Sequence, residues 1–164
     1  MNSKKLSIGL FSFYCAALTW IILFKFSFSL EELPHLRNIS LIPFAESVIV
    51  NGKVDFSEIF QNLFAFIPFG VLISTISENK SFLQKLLPAF FVSLAFEVLQ
   101  FIFSIGASDI TDVITNTLGG LIGIGIFMVL RKLFKRKYKT VINIVSFTFA
   151  ILFSVLMLIL FLAN

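Results

Sequence analysis

Five apolar runs, at residues 6–28, 56–76, 82–103, 110–130 and 141–162, constrain this chain more than any other feature. A hydrocarbon layer about 30 Å thick is crossed by about 20 residues at about 1.5 Å each, so every run is long enough to span. Of the 164 residues, 58% are hydrophobic, 13% are charged and 23 are phenylalanine. One water-soluble core cannot hide that much apolar surface. The sequence therefore predicts an all-α, polytopic membrane helix bundle with five transmembrane helices, forming a single membrane domain over 1–164. The first run is longer than the core of a signal peptide, and Lys25 with bulky phenylalanines stands where small residues would mark a cleavage site. It is expected to be a retained helix.

Basic residues set the orientation. If five helices alternate, Lys4, Lys5, Lys80, Lys85, Arg131, Lys132, Lys135, Arg136, Lys137 and Lys139 fall on one side. Arg37 and Lys53 fall on the other, and Lys25 lies near an outer helix end, where it can snorkel. The expected topology has the N-terminus inside and the C-terminus outside. The net charge of +4 thus reflects residues flanking apolar spans, and no nucleic-acid partner is expected. Membrane lipid is the expected surrounding. Cys15 is alone and so forms no intrachain disulfide, His35 is alone in a loop, and no metal or cofactor pattern is present.

Polar residues interrupt the apolar background at few places. The second run has an expected cap in Asp55 with Glu58, carries Gln61 and Asn62 in its outer half, and should kink at Pro68, which lacks an N–H. The third opens with Ser81 and Gln84 at capping-box spacing. Deeper in, Ser93, Glu97, Gln100 and Ser104 fall at i, i+4, i+7 and i+11, a polar stripe on one helix face. A mid-membrane carboxylate costs roughly 2.5 to 3.5 kcal/mol on insertion scales, which argues against a lipid-facing Glu97. The fourth run opens with Asp109, Asp112 and Asn116 at i, i+3 and i+7, followed by Gly119, Gly120, Gly123 and Gly125. The fifth carries no ionisable residue and reads as an anchor.

The alternating topology puts Asn62, Glu97, Gln100, Asp112 and Asn116 at one depth in the outer half, beneath a connection at 29–55. These five are the candidate ligand-binding residues. Asp109 is a helix N-cap or the rim of the site. Gln100 and Asn116 have an equal alternative as interhelical hydrogen-bond glue, and Gly119, Gly120 and Gly123 are expected to serve helix packing.

The motifs Asn38-Ile39-Ser40-Leu41-Ile42-Pro43-Phe44, Asn62 to Gly70, Glu97-Val98-Leu99-Gln100, Asp109-Ile110-Thr111-Asp112 and Asn116-Thr117-Leu118-Gly119-Gly120 resemble, in that order, the VanZ-like family of bacterial membrane proteins. The resemblance covers 38–130 and leaves 141–162 as an accessory helix. Many members carry a basic residue just before Asp-Ile-x-Asp, where this chain has Gly106-Ala107-Ser108. The resemblance implies a multi-pass protein of the bacterial cytoplasmic membrane. It also implies an association with resistance to teicoplanin, a lipid-tailed glycopeptide acting on cell-wall precursors at the outer face. The expected partner is accordingly a lipoglycopeptide or a lipid-linked precursor held in an outward polar cavity. The rival expectation is an intramembrane enzyme, with Glu97 and Asp112 as an acid/base pair or metal ligands acting on a lipid-linked substrate.

Overall fold

The computed structural model describes residues 3–24, 36–44, 49–50, 53–54 and 56–163. Five long helices dominate: α1 (Ser3–Phe24), α2 (Ser57–Ile76), α3 (Phe82–Phe103), α4 (Ile110–Phe134) and α5 (Tyr138–Ala163). Apolar side chains cover the bundle flanks, among them Phe91, Ile102, Leu152 and Phe161, all exposed. In water such a surface would drive aggregation, whereas in lipid it needs no cover. The chain is an all-helical assembly of several long apolar helices, as a membrane bundle requires.

α2 and α4 lie at the centre of the packing, in backbone contact. A Cβ built on Gly123 would stand 2.1 Å from the Ile67 carbonyl oxygen, and one on Gly119 would stand 2.2 Å from that of Leu63. From the α2 side, a Cβ on Gly70 would meet the Gly120 carbonyl oxygen at 2.2 Å, while Gly120 faces Ala89 of α3. Pro68 lies inside an α2 that continues on both sides of it. Around this seam the core gathers Leu18 of α1, Phe66, Phe69 and Leu72 of α2, Phe96 of α3 and Phe127 of α4.

Helix ends follow local chemistry. α3 starts with the expected capping box, the Ser81 hydroxyl accepting from Gln84 N at 3.3 Å and Gln84 Oε1 from Ser81 N at 3.1 Å. α4 starts at its Asp109 cap, whose carboxylate accepts from Thr111 N at 2.8 Å. α4 runs past 130 to Phe134, because Arg131 and Lys132 in its last turn complement the carbonyl end of the helix dipole. The α2 start differs from expectation: its N-cap position is Phe56, with no side-chain cap, and Asp55 lies outside the described residues. Lys25, His35 and most of the connection at 29–55 lie outside them too.

Two short ladders were not foreseen. β1 (Leu36–Ser40) pairs in parallel with β4 (Ile105–Asp109), Leu36 opposite Ile105 and Ser40 opposite Asp109. β2 (Ile49–Val50) and β3 (Lys53–Val54) form an antiparallel pair. Ser104 ends α3 in the left-handed region (φ 54°), its N–H donating back to the Gln100 and Phe101 carbonyls. It therefore belongs to the helix cap and not to the α3 polar stripe.

At the opposite end of the bundle, the α2–α3 turn is tied to the start of α5. The Glu78 carboxylate accepts from Tyr138 Oη and forms an ion pair with Lys139, while Lys85 Nζ donates to the Glu78 carbonyl at 3.1 Å. α1 joins α5 through a buried bond from Ser7 Oγ to Asn143 Oδ1 at 2.8 Å. The fifth helix is thus integrated at its first turns, and its remaining length is mostly exposed.

Candidate functional site

Glu97 sits in the last two turns of α3 and is only 6% exposed. Two contacts fix it against β4. Its Oε2 accepts from Asp109 N at 2.8 Å, and its backbone carbonyl accepts from Ser108 Oγ at 2.7 Å. These bonds place the Glu97 carboxylate at the junction where β4 becomes α4. Asp109 thus has two roles at this junction, giving its N–H to Glu97 and capping α4 with its side chain. The carboxylates of Asp112, Asp109 and Glu58 stand within electrostatic range of Glu97.

A cleft of about 260 Å³ opens beside this junction. α3 contributes Leu94, Val98 and Phe101; α4 contributes Ile110 and Val113; Ile39 and Leu41 close it from the β1 side. Glu97, Asp109, Ser40 and Ser108 also border it, and no basic side chain of the described residues lines it. The cleft is an apolar slot: the surface it offers is almost wholly hydrocarbon, and the unpaired Glu97 oxygen lies buried beside it, so the slot as it stands suits a greasy group.

The candidate residues divide into two layers. Glu97 and Asp109 line the cleft. Asn62, Gln100, Asp112 and Asn116 do not, and Asn62, Gln100 and Asn116 are buried in the bundle. Asn116 Nδ2 donates to Ser93 Oγ of α3 at 2.8 Å, and that hydroxyl donates to the Asp112 carbonyl at 3.4 Å. Gln100 Nε2 donates to the Ile22 carbonyl of α1 at 3.3 Å. Both amides therefore bond between helices through their nitrogens. Their oxygens, Asn116 Oδ1 and Gln100 Oε1, have no hydrogen-bond partner among the described residues, and neither does Glu97 Oε1. A buried acceptor left unpaired costs about 1–3 kcal/mol, so three at one end of a bundle call for donors from water or a ligand.

Sequence reasoning assigned no role to Ser40, Ser108 or Thr111. Ser40 reaches the cleft because β1 pairs with β4, and Thr111 Oγ1 accepts from Phe44 N at 2.9 Å, tying the segment after β1 to α4. The signal lay in the motifs themselves, since Asn38 to Phe44 and Asp109 to Asp112 are the segments brought together. Among the described residues, no three His, Cys, Asp or Glu side chains form a group able to hold a metal ion.

Residues 11–134 match the family described as VanZ/LLP1. Protein VanZ of Enterococcus faecium is 40% identical over 126 residues, covering 76% of this chain and 74% of that protein. No solved structure matches. The matched span contains the whole α3–β4–α4 junction and ends before α5.

Proposed function

The chain belongs to the VanZ/LLP1 family, and from that premise we propose that it is a plasma-membrane protein that lowers susceptibility to teicoplanin-type lipoglycopeptides. It does so by holding an amphiphile, the antibiotic or a lipid-linked wall precursor, in the cleft beside Glu97. In this reading five helices span the membrane, with the N-terminus inside, the C-terminus outside and the cleft facing outward. The basic turns of α2–α3 and α4–α5 meet at the end away from the cleft, which supports that orientation under the positive-inside rule.

One observation carries the reading. Glu97 is a buried carboxylate with one oxygen committed to the backbone of Asp109 and the other unpartnered, beside an apolar slot. The slot is smaller than the roughly 300–1,000 Å³ of a site that engulfs a drug-sized molecule. It would accept one arm of a larger amphiphile, with the acyl portion against Val98, Phe101 and Leu41 and an amine, amide or hydroxyl reaching Glu97 once the apolar wall that covers its free oxygen parts. Asp112 adds negative charge within electrostatic range of Glu97, the Asp109 N–H orients the Glu97 carboxylate, and Gln100 and Asn116 tie α3 to α1 and to α4 nearby.

Susceptibility to teicoplanin tests the proposal, measured in cells expressing the parent, Glu97→Gln, Asp112→Asn or Asn116→Ala at matched membrane levels. Glu97→Gln is expected to remove most of the protection. Should all three variants protect as well as the parent, the cleft is not the site.

A further inference from the structure

The basic end of the bundle carries a second concavity, of about 550 Å³, between α3 and α4. Its floor is Ile124 and Phe127, both buried, and its outer wall is Phe82 and Met128, both exposed. Lys85, Arg131 and Lys132 complete it. Arg131 follows Phe127, and Lys132 follows Met128, by four residues, so each cation stands one turn beyond an apolar side chain on the same face. Lys85 is buried and already committed, its ammonium donating to the Glu78 carbonyl and lying 5.5 Å above the Phe127 ring. Arg131 and Lys132 are exposed, and neither side chain has a hydrogen-bond partner among the described residues.

We propose that this groove binds an anionic phospholipid of the leaflet at the basic end. The phosphate sits between Arg131 and Lys132, backed by Lys85, and an acyl chain runs along Met128 and Phe82 over Ile124. Charge selects the headgroup. Three cations converge, and the carbonyl end of α4 would repel an anion without them, so binding depends on those side chains and disfavours a headgroup bringing its own cation. Shape selects a lipid over free phosphate, because the greater part of the wall is hydrocarbon that only an acyl chain would cover. The site is independent of the cleft at the other end of the helices, and it requires only that the basic turns lie at a headgroup interface.

The test is thermal stability of the detergent-solubilised full chain titrated with dioleoyl phosphatidylglycerol, dioleoyl phosphatidylcholine, glycerol 3-phosphate or inorganic phosphate. Phosphatidylglycerol is expected to raise the melting temperature saturably, and phosphatidylcholine and the two water-soluble phosphates to leave it unchanged. The double substitution Arg131→Gln/Lys132→Gln should weaken the apparent affinity roughly thirtyfold, from two interfacial charges. Lys135→Gln/Arg136→Gln, which alters cations outside the groove, should weaken it less than about threefold on the same scale. Met128→Glu, placing a carboxylate on the acyl wall, should abolish the preference while Arg131 and Lys132 remain. Native mass spectrometry of the unsubstituted chain supplies a readout free of folding effects, with one retained phosphatidylglycerol expected. Equal responses to the two lipids, full reproduction by inorganic phosphate, or equal losses in the two charge variants would each overturn the proposal.

Discussion

Asp109 shows how much one residue can organise. It caps α4, gives its N–H to Glu97 and lines the cleft. Asp109→Ala keeps the backbone N–H and removes the cap, so it should lower stability by about 1 kcal/mol. Asp109→Asn, which retains an acceptor, should lie close to the parent; thermal unfolding in detergent distinguishes the two. At the other end Glu78 provides a pH dependence. Burial works against its charge, but the hydrogen bonds from Lys139 and Tyr138 and the charges of Lys139 and Arg131 outweigh that effect, holding the carboxyl below its usual value near 4.5. A depressed folded pKa means stabilisation that is complete above the ordinary carboxylate range and is lost as pH falls through the folded value. Melting temperatures from pH 6 to pH 3 should therefore decline more steeply for the parent than for Glu78→Gln. The Asp109 cap was readable in the sequence because an acid directly before an apolar run has one cheap local use. The burial of Glu97 was readable from the cost of facing lipid. Ser40 and Ser108 were not, because their place beside Glu97 depends on a partner strand far along the chain.

Among the elements, the helices were legible and their contacts only partly so. A run of 20 apolar residues must satisfy its own backbone in lipid, which leaves little choice but a helix. The β1–β4 ladder had no such signature, since Leu36 to Ser40 shows no period-two alternation and its pairing is not local. The interhelical bonding expected as one alternative for Asn116 and Gln100 is present, but hydropathy could not name the partners, Ser93 Oγ and the Ile22 carbonyl, since those depend on which faces meet. The glycine spacing did point to close packing, and the structure shows the partner to be α2. That seam gives a graded prediction. Gly123→Ala puts a methyl group 2.1 Å from the Ile67 carbonyl oxygen and should strongly destabilise the bundle, by several kcal/mol. Gly125→Ala, where nothing lies within 4 Å, should be neutral or raise stability by up to about 1 kcal/mol through helix propensity. Denaturation of both variants in the same detergent checks the contrast.

For the molecule as a whole, the two ends have different chemistry. One end joins β1, β4 and the cleft beside the buried Glu97; the other gathers Lys85, Arg131, Lys132 and Lys139 around Glu78 and the groove. With Cys15→Ser as background, a membrane-impermeant maleimide applied to intact cells should label Leu41→Cys at once and Arg136→Cys only after permeabilisation. The opposite pattern would invert the proposed orientation.

The β1–β4 ladder also has a consequence in time. Phe44 and Thr111, bonded beside it, are 67 residues apart in the chain. At roughly 5–20 residues per second of synthesis, about 3–13 s pass between the emergence of the two segments. Until then β1 is an edge without a partner, and closing a loop of that length opposes pairing by about 4 kcal/mol, from (3/2)RT ln n. The packing of α2 and α3 against α4 shortens the search. The cleft is consequently among the last features to assemble, and a nascent chain halted before α4 carries every residue of β1 but no cleft.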